Sequence, residues 1–161
     1  MTRRSIGWLA GILLLCACAA QAMDVRIVTR PDEGVRLDLY VRAHDLRIVL
    51  ANDTNQPVTV SRRFLLDAAT GVGDISLDVV DAAGRHREFS AKINGGLPEK
   101  GDFVTLSPGQ LVGSDVVLDD VRAYYQLKRG TYTVRATCKL QGAEGEAPHA
   151  VTSDPVRLSI P

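Results

Sequence analysis

The stretch FVTLSPGQLVGSDVVLDDVRAYYQLKRGTYTVRATCKL, from Phe103 to Leu140, decides the fold of this chain. Its segment Thr131–Leu140 alternates strictly, with apolar side chains at the even positions and Thr, Arg or Lys at the odd ones. Such alternation predicts a β-strand with one face against a core and the other in solvent. A turn is predicted upstream, because Pro108 presets φ and Gly109 accepts a positive φ. The stretch therefore predicts strand, turn, strand, a short crossover over Asp119–Tyr125, and a final strand.

The rest of the chain repeats short apolar alternations between polar turns, and no segment sustains a 3.6-residue period. Gly84 is expected to turn a hairpin, and Gly113 interrupts its strand and predicts a bulge or bend. Short strands at this spacing predict an all-β fold, a single antiparallel sandwich. The other predicted strands are Met23–Thr29, Gly34–Val41, the segments around Ile48 and Val58–Val60, Ile75–Asp81, Arg85–Ala91, Gln110–Leu118 and Val151–Ile160.

The corner Leu127–Tyr132, which contains Gly130, resembles the tyrosine corner of immunoglobulin-like sandwiches. In that corner the tyrosine hydroxyl, here that of Tyr132, bonds back to upstream backbone. With the L-x-P-G turn before it, Gln110–Leu140 is similar to the non-catalytic immunoglobulin-like domains attached to deuterolysin-type zinc endopeptidases. It is also similar to small bacterial proteinase-inhibitor domains. The resemblance implies an immunoglobulin-like fold, but the sequence lacks the H-E-x-x-H zinc helix of those peptidases, so their activity is not carried over.

The first residues predict an export signal. Arg3 and Arg4 precede an uncharged run that ends in the A-x-A pattern of Ala20–Ala22. The run is short for a membrane span, so residues 1–22 are interpreted as a signal peptide cleaved after Ala22. Residues 23–161 then form one domain, in the periplasm or outside the cell.

A second interpretation of the same residues is a lipoprotein signal. Leu15–Cys18 resembles a bacterial lipobox, in which Cys18 is lipidated and becomes the first mature residue. Cys16 departs from that pattern. This alternative predicts an outer-membrane lipoprotein, with membrane contact only through the lipid.

Charge and cysteine content limit the partners. The formal net charge is zero, and removal of the signal arginines leaves a slight acidic excess. A chain without a basic excess is not expected to bind nucleic acid or an anionic membrane surface. After cleavage at Ala22, Cys138 is the one remaining cysteine, so no internal disulfide is expected. Its phase with the apolar positions of Thr131–Leu140 predicts a buried, inert thiol.

No residues group into a catalytic, metal or cofactor site, so an enzyme is not expected and no cofactor is predicted. The histidines lack ligand spacing, and the crossover aspartates lack a calcium-loop pattern. Two basic groups, Ser61–Arg63 and Arg85–Arg87, are interpreted as solvated strand faces. The alternative is that they converge on one sheet face, which would suit an acidic ligand. The residues considered were His44, His86, His149, Asp115, Asp119, Asp120, Arg62, Arg63, Arg85 and Arg87.

The glycine-rich loop Lys92–Asp102 is the preferred contact surface, since long loops on rigid sandwiches often bind partners. The sequence therefore predicts a small exported non-catalytic binding module of the bacterial envelope, which recognises a protein through loops or an edge strand. One alternative is a proteinase inhibitor that inserts this loop into a peptidase; the other is a lipid-tethered accessory of envelope assembly. The candidate loop residues are Asn94, Gly95, Gly96, Leu97 and Pro98.

Overall fold

Ten β-strands, one short α-helix and one 3-10 turn at Lys100–Asp102 form the part of the chain that the computed structural model describes, residues 34–66, 74–93, 96, 98–140 and 149–161. The predicted strand Met23–Thr29, the cleavage site at Ala22 and Cys18 lie outside these residues. The elements are β1 (Val35–Val41), β2 (Asp45–Asn52), β3 (Val58–Ser61), β4 (Ile75–Asp81), β5 (His86–Arg87), β6 (Phe103–Leu106), β7 (Leu111–Val117), α1 (Leu118–Tyr124), β8 (Gly130–Leu140), β9 (His149–Thr152) and β10 (Val156–Ile160).

The strands form two main layers. One layer is a three-stranded sheet in the order β1-β2-β7, and the other is a five-stranded sheet in the order β10-β8-β4-β5, with β9 also paired to β8. A short third sheet pairs β3 with β6, and every pairing between these strands is antiparallel. Strand β1 packs across β8, β9 and β10, so the layers enclose one core. The predicted all-β, antiparallel, sandwich-like fold is confirmed.

Strand β8 lies at the centre of the five-stranded sheet, and its side chains alternate between core and solvent as predicted. Tyr132, Val134, Ala136, Cys138 and Leu140 are all buried, and the residues between them are exposed or half-buried. Facing them across the core are the fully buried Leu46, Ile48 and Leu50 of β2. Each buried side chain of this size contributes about 1.5–3 kcal/mol of transfer free energy. This packing positions the edges of both sheets.

The prediction of one strand over Val151–Ile160 was wrong, because the chain breaks at Ser153–Pro155 into β9 and β10. Ser153 lies at the break: its N–H donates to the Ala136 carbonyl (2.8 Å), and its Oγ accepts from the Ala136 N–H (2.9 Å). The side chain thus replaces the missing backbone acceptor. Pro155 has no N–H to contribute to a ladder.

The predicted hairpin strand Arg85–Ala91 is also shorter than expected. Gly84 turns the hairpin with φ of 78°, as predicted, but β5 contains only His86–Arg87. The chain then leaves the sheet, because the Phe89 ring packs edge-on against Tyr124 and Tyr125 at centroid distances of 5.6 and 5.4 Å. Those tyrosines end α1, the element that forms the predicted crossover.

Asn52 lies at the junction of two strand ladders. Strand β2 pairs with β7, and β3, the next strand after β2, pairs with β6, the strand before β7. The fully buried side chain of Asn52 donates from Nδ2 to the carbonyls of Leu106 (2.9 Å) and Gln56 (2.8 Å). Its Oδ1 accepts from the N–H and hydroxyl of Thr54, at 3.0 and 2.6 Å. Opposite it, Gly109 takes φ of 77°, and its N–H donates to the Asn52 carbonyl (2.8 Å). The predicted turn at Pro108 and Gly109 is therefore present.

The corner before β8 contains the hydrogen bond predicted for Tyr132. Its hydroxyl donates to the Lys128 carbonyl (2.8 Å) and accepts from the Lys128 N–H (3.1 Å). Gly130 begins the strand immediately after this closed turn. The two bonds fix the direction in which the chain enters β8.

Candidate functional site

The outer edge of β7 presents backbone groups that the rest of the described fold does not pair. At one end of the β2–β7 ladder the Asn52 N–H donates to the Gln110 carbonyl (2.9 Å), and at the other the Leu118 N–H donates to the His44 carbonyl (2.9 Å). Because bonding alternates along an antiparallel ladder, the even-numbered residues of β7 bond β2 and the odd-numbered ones point away. We call Leu111, Gly113, Asp115 and Val117 the outward residues. Apart from the Val117 carbonyl, which accepts the first hydrogen bond of helix α1, no backbone hydrogen bond to their N–H or C=O groups is found in the described part of the chain.

Two large apolar side chains flank this edge. Leu111 is 62% exposed and Val117 is 52% exposed, and these are the highest values among the exposed large hydrophobic side chains of the described residues. Their side chains and those of the other outward residues lie on the outer face of the three-stranded sheet, opposite the half-buried Val112, Ser114 and Val116. An exposed strand with apolar residues on its solvent face is a template for pairing with another strand.

Gly113 leaves the centre of the edge flat. It pairs in regular register with Val49, so the predicted bulge or bend is wrong. A Cβ at this position would lie 2.6 Å from the Ile48 carbonyl oxygen and 3.2 Å from Val49 Cγ2. Glycine is required here because β2 approaches closely, and close approach of another backbone is, like a bulge, a common reason for glycine inside a strand.

Asp115 is the one charge on the edge, and neighbouring arginines offset it. Its Oδ1 lies 3.6 Å from Arg42 Nη1 and 3.5 Å from Arg47 Nη1. The carboxylate therefore does not repel an approaching strand as an isolated charge would. This pairing also accounts for one of the aspartates considered as a calcium ligand, and the described residues contain no group of three or more potential metal ligands.

The opposite edge of the same sheet, β1, is protected by charge. On its outer face Arg36 pairs with Asp38 and with Asp53, the latter at 2.7 Å, and the Tyr40 hydroxyl lies 3.4 Å from Asp38. A strand that added to β1 would have to displace or desolvate these groups. Charged side chains along an edge are a common protection against pairing.

The edges of the five-stranded sheet are protected by geometry. On one side the break at Ser153–Pro155 interrupts the edge, and on the other β5 has only two residues. Short and interrupted edge strands give an incoming strand few consecutive hydrogen bonds. Among the edges of the two main layers in the described residues, β7 thus combines length with apolar, unblocked surface.

The loop predicted as the contact surface is described only in part. Gly96 is exposed with φ of 62°, and its carbonyl accepts from Arg63 Nη1 at 3.3 Å. Pro98 is half-buried, whereas Asn94, Gly95 and Leu97 lie outside the described residues. The loop therefore stays a prediction.

The basic groups considered in the sequence are each paired with a carboxylate of their own neighbourhood. Arg63 Nε lies 3.1 Å from Asp74 Oδ2, and both Arg85 and Arg87 lie 2.9 Å from Asp81 Oδ2. The backbone N–H of Arg85 is the largest of the effects that lower the pKa of Asp81 to about 2. These arginines stabilise loop and hairpin ends.

The histidines lie on three separate elements: His44 on the β1–β2 turn, His86 on β5 and His149 on β9. His86 Nδ1 is 2.6 Å from Asp78 Oδ1 on the exposed surface. Burial raises the pKa of the Cys138 thiol to about 12, which suits the inert role predicted for it. Burial also raises the pKa of Tyr125 to about 12, and its hydroxyl donates to the Leu77 carbonyl (3.1 Å).

Together these features define an all-β, antiparallel, sandwich-like domain with an unprotected strand edge. No protein-family model matches the chain, and no curated protein matches it. Within the described ranges, none of the helical segments is long and apolar enough to cross a membrane.

Proposed function

We propose that this chain is a small, exported, non-catalytic binding module of the bacterial envelope, which recognises a protein partner by strand addition to β7. The observation that carries the proposal is the edge itself: unpaired backbone groups, exposed Leu111 and Val117, and no protection of the kind seen on β1 and on the edges of the five-stranded sheet. Strand addition uses main-chain hydrogen bonds for affinity and alternate side chains for specificity.

The chemistry of the edge describes the partner segment. It is extended, so that its N–H and C=O groups meet those of the outward residues, and each such bond contributes about 0.5–1.5 kcal/mol net. It carries apolar side chains opposite Leu111 and Val117, where cross-strand apolar pairs add about 0.2–1 kcal/mol each. Opposite Gly113 it meets a residue without a side chain.

Export is supported by the positive residues, uncharged run and A-x-A pattern of the first 22 residues. When the full chain is produced in a Gram-negative host, we expect a periplasmic protein whose measured mass corresponds to a chain that begins at Met23. If the protein is instead bound to the membrane and the substitution Cys18→Ala releases it, the chain is a lipoprotein.

Val117→Pro is the variant that blocks the edge without breaking the fold. Val117 has φ of −61°, the value to which proline is restricted, and its N–H points away from β2. Proline therefore removes a donor of the edge and no bond of the β2–β7 ladder. Val117→Thr is the matched control, because it keeps both the N–H and the β-branched shape.

The test is site-specific photocrosslinking in the producing cell. A photoreactive residue replaces Leu111 or Val117, and the control site is Thr133, exposed on the outer face of β8. We expect protein adducts from the two β7 sites and not from β8, and we expect Val117→Pro to abolish the adduct from position 111 while Val117→Thr keeps it. Equal labelling from all three sites, or none from β7, contradicts the proposal.

A further inference from the structure

We infer that the strand that the β7 edge fits is β7 of a second copy of this chain, paired antiparallel about Ser114. The inference rests on the proposed function, because it names the partner of the same edge. It yields a two-fold symmetric dimer in which β1-β2-β7 of one copy continues into β7-β2-β1 of the other. Each copy then uses the same surface, as in the isologous interfaces of most homodimers.

The sequence of β7, LVGSDVV, is self-complementary in this arrangement. Leu111 faces Val117 of the other copy, and Gly113 faces Asp115. Gly113 and Asp115 exchange their free N–H and C=O groups, and the free N–H of Val117 donates to the Leu111 carbonyl, while the Val117 carbonyl is already bonded within α1. On the inner face, Val112 lies opposite Val116 of the other copy. Apolar residues thus meet apolar ones, and the one charge meets a residue without a side chain.

The neighbouring registers are worse for a definite reason. Only registers that pair outward residues with outward residues form hydrogen bonds, so the nearest alternatives are centred on Gly113 or Asp115. Centring on Asp115 places the two carboxylates directly opposite each other, which is destabilising. Centring on Gly113 places the exposed Leu111 opposite Asp115. Of the three arrangements, the one about Ser114 pairs every outward side chain acceptably.

The size of the contact predicts a reversible dimer. Seven residues in β7 give an edge about 24 Å long at roughly 3.4 Å per residue, so the contact is at the small end of specific interfaces. We therefore expect a monomer–dimer equilibrium that depends on concentration. Val117→Pro removes one donor from each copy and should raise the dimer dissociation constant about tenfold or more, with a smaller change for Val117→Thr.

Cysteine crosslinking of the exported protein, purified after removal of residues 1–22 and therefore without Cys16 and Cys18, tests the register. Ser114 faces itself in a non-hydrogen-bonded pair with Cα atoms about 4.5 Å apart, within the range that a disulfide spans. Ser114→Cys should therefore form a covalent dimer on mild oxidation. Leu111→Cys and Val117→Cys should not crosslink alone, but an equimolar mixture of the two should. Native Cys138 is buried and serves as the internal negative control.

The outcomes separate this inference from the proposed function. Crosslinking of Ser114→Cys, with crosslinking of the other two variants only as a mixture, supports the dimer. Monomers at every concentration, or single-variant crosslinks at position 111 or 117, overturn it. If the chain stays monomeric while photocrosslinks from Leu111 and Val117 capture a different protein, the self-pairing is wrong and strand addition stands. If neither experiment labels β7, both fall.

Discussion

Asn52→Asp changes one buried atom at the junction of two ladders, and its cost follows from the hydrogen bonds of that atom. The substitution keeps the shape of the side chain but replaces Nδ2, which donates to the Leu106 and Gln56 carbonyls, with an oxygen. The carbonyl oxygens of Leu106 and Gln56 then both face the new carboxylate oxygen, which is also an acceptor. The Thr54 donors to Oδ1 are retained, so the change isolates the lost amide.

The magnitude combines three contributions. Two hydrogen bonds of about 0.5–1.5 kcal/mol each are lost, and the buried Leu106 carbonyl keeps no side-chain partner, at about 1–3 kcal/mol. Burial of the charge at a fully enclosed position adds to this. We expect the free energy of unfolding to fall by about 3–5 kcal/mol at pH 7, a large part of the total stability of an ordinary domain, about 5–15 kcal/mol.

The same variant should show a diagnostic pH dependence. Burial beside carbonyl oxygens raises the pKa of the introduced carboxyl above its ordinary value. Because its pKa is higher folded than unfolded, the penalty is smallest below the unfolded pKa near 4 and grows as the pH rises toward the folded pKa. The protonated form also regains a donor.

Urea unfolding of the wild type, Asn52→Asp and Asn55→Asp between pH 4 and 8 measures this. Asn55 is an exposed neighbour, so its substitution should change stability by less than about 0.5 kcal/mol. A loss below about 1 kcal/mol for Asn52→Asp, or a penalty that does not change with pH, would refute the role assigned to Asn52.

Three further predictions concern single side chains. Tyr132→Phe removes the hydroxyl that bonds Lys128 twice and should lower the free energy of unfolding by about 1–2 kcal/mol in urea; an unchanged midpoint contradicts the corner. The pKa of Asp81 is lowered to about 2 from 3.8, so its stabilisation is present above pH 4 and lost as the pH falls toward 2. In Asp81→Asn the free energy of unfolding should therefore fall less between pH 4 and pH 2 than in the wild type. An unchanged fall argues against the pairing of Asp81 with Arg85 and Arg87. Because burial raises the pKa of Cys138 to about 12, iodoacetamide at pH 8 should alkylate it only in denaturant; labelling of the native protein contradicts its burial.

Features governed by local chemistry were predictable from the sequence. The alternation of Thr131–Leu140 identifies a strand with one buried face, because period 2 over so many residues has no other regular explanation. Pro108 and Gly109 identify the turn through their own φ preferences, and the bond of Tyr132 to Lys128 spans only four positions. In each case the residues that carry the signal are also those that form the contact.

Features that depend on distant contacts were not predictable. The break between β9 and β10 depends on Ser153 meeting Ala136, and β5 ends early because Phe89 meets the tyrosines of α1. Helix α1 spans seven residues, too few to show a 3.6-residue period.

The candidate site was missed for the same reason. The sequence does not show which strand is at the edge of a sheet, because that depends on the order β1-β2-β7. Gly113 alone predicts a bulge, and its true role is known only from the close approach of β2. One signal was available: Leu111 and Val117 are apolar on the face opposite Val112 and Val116, which an ordinary half-buried strand would not need.

Residue-specific amide hydrogen exchange across β7, measured by NMR first at high dilution and then at high concentration or with the crosslinked partner, tests the central claim most directly. At high dilution we expect alternation: fast exchange at Leu111, Gly113, Asp115 and Val117, and protection at the residues between them, which bond β2. The outward amides should become protected when the edge is occupied. Outward amides that are already protected at high dilution, or that stay unprotected when a partner is bound, would contradict recognition by strand addition.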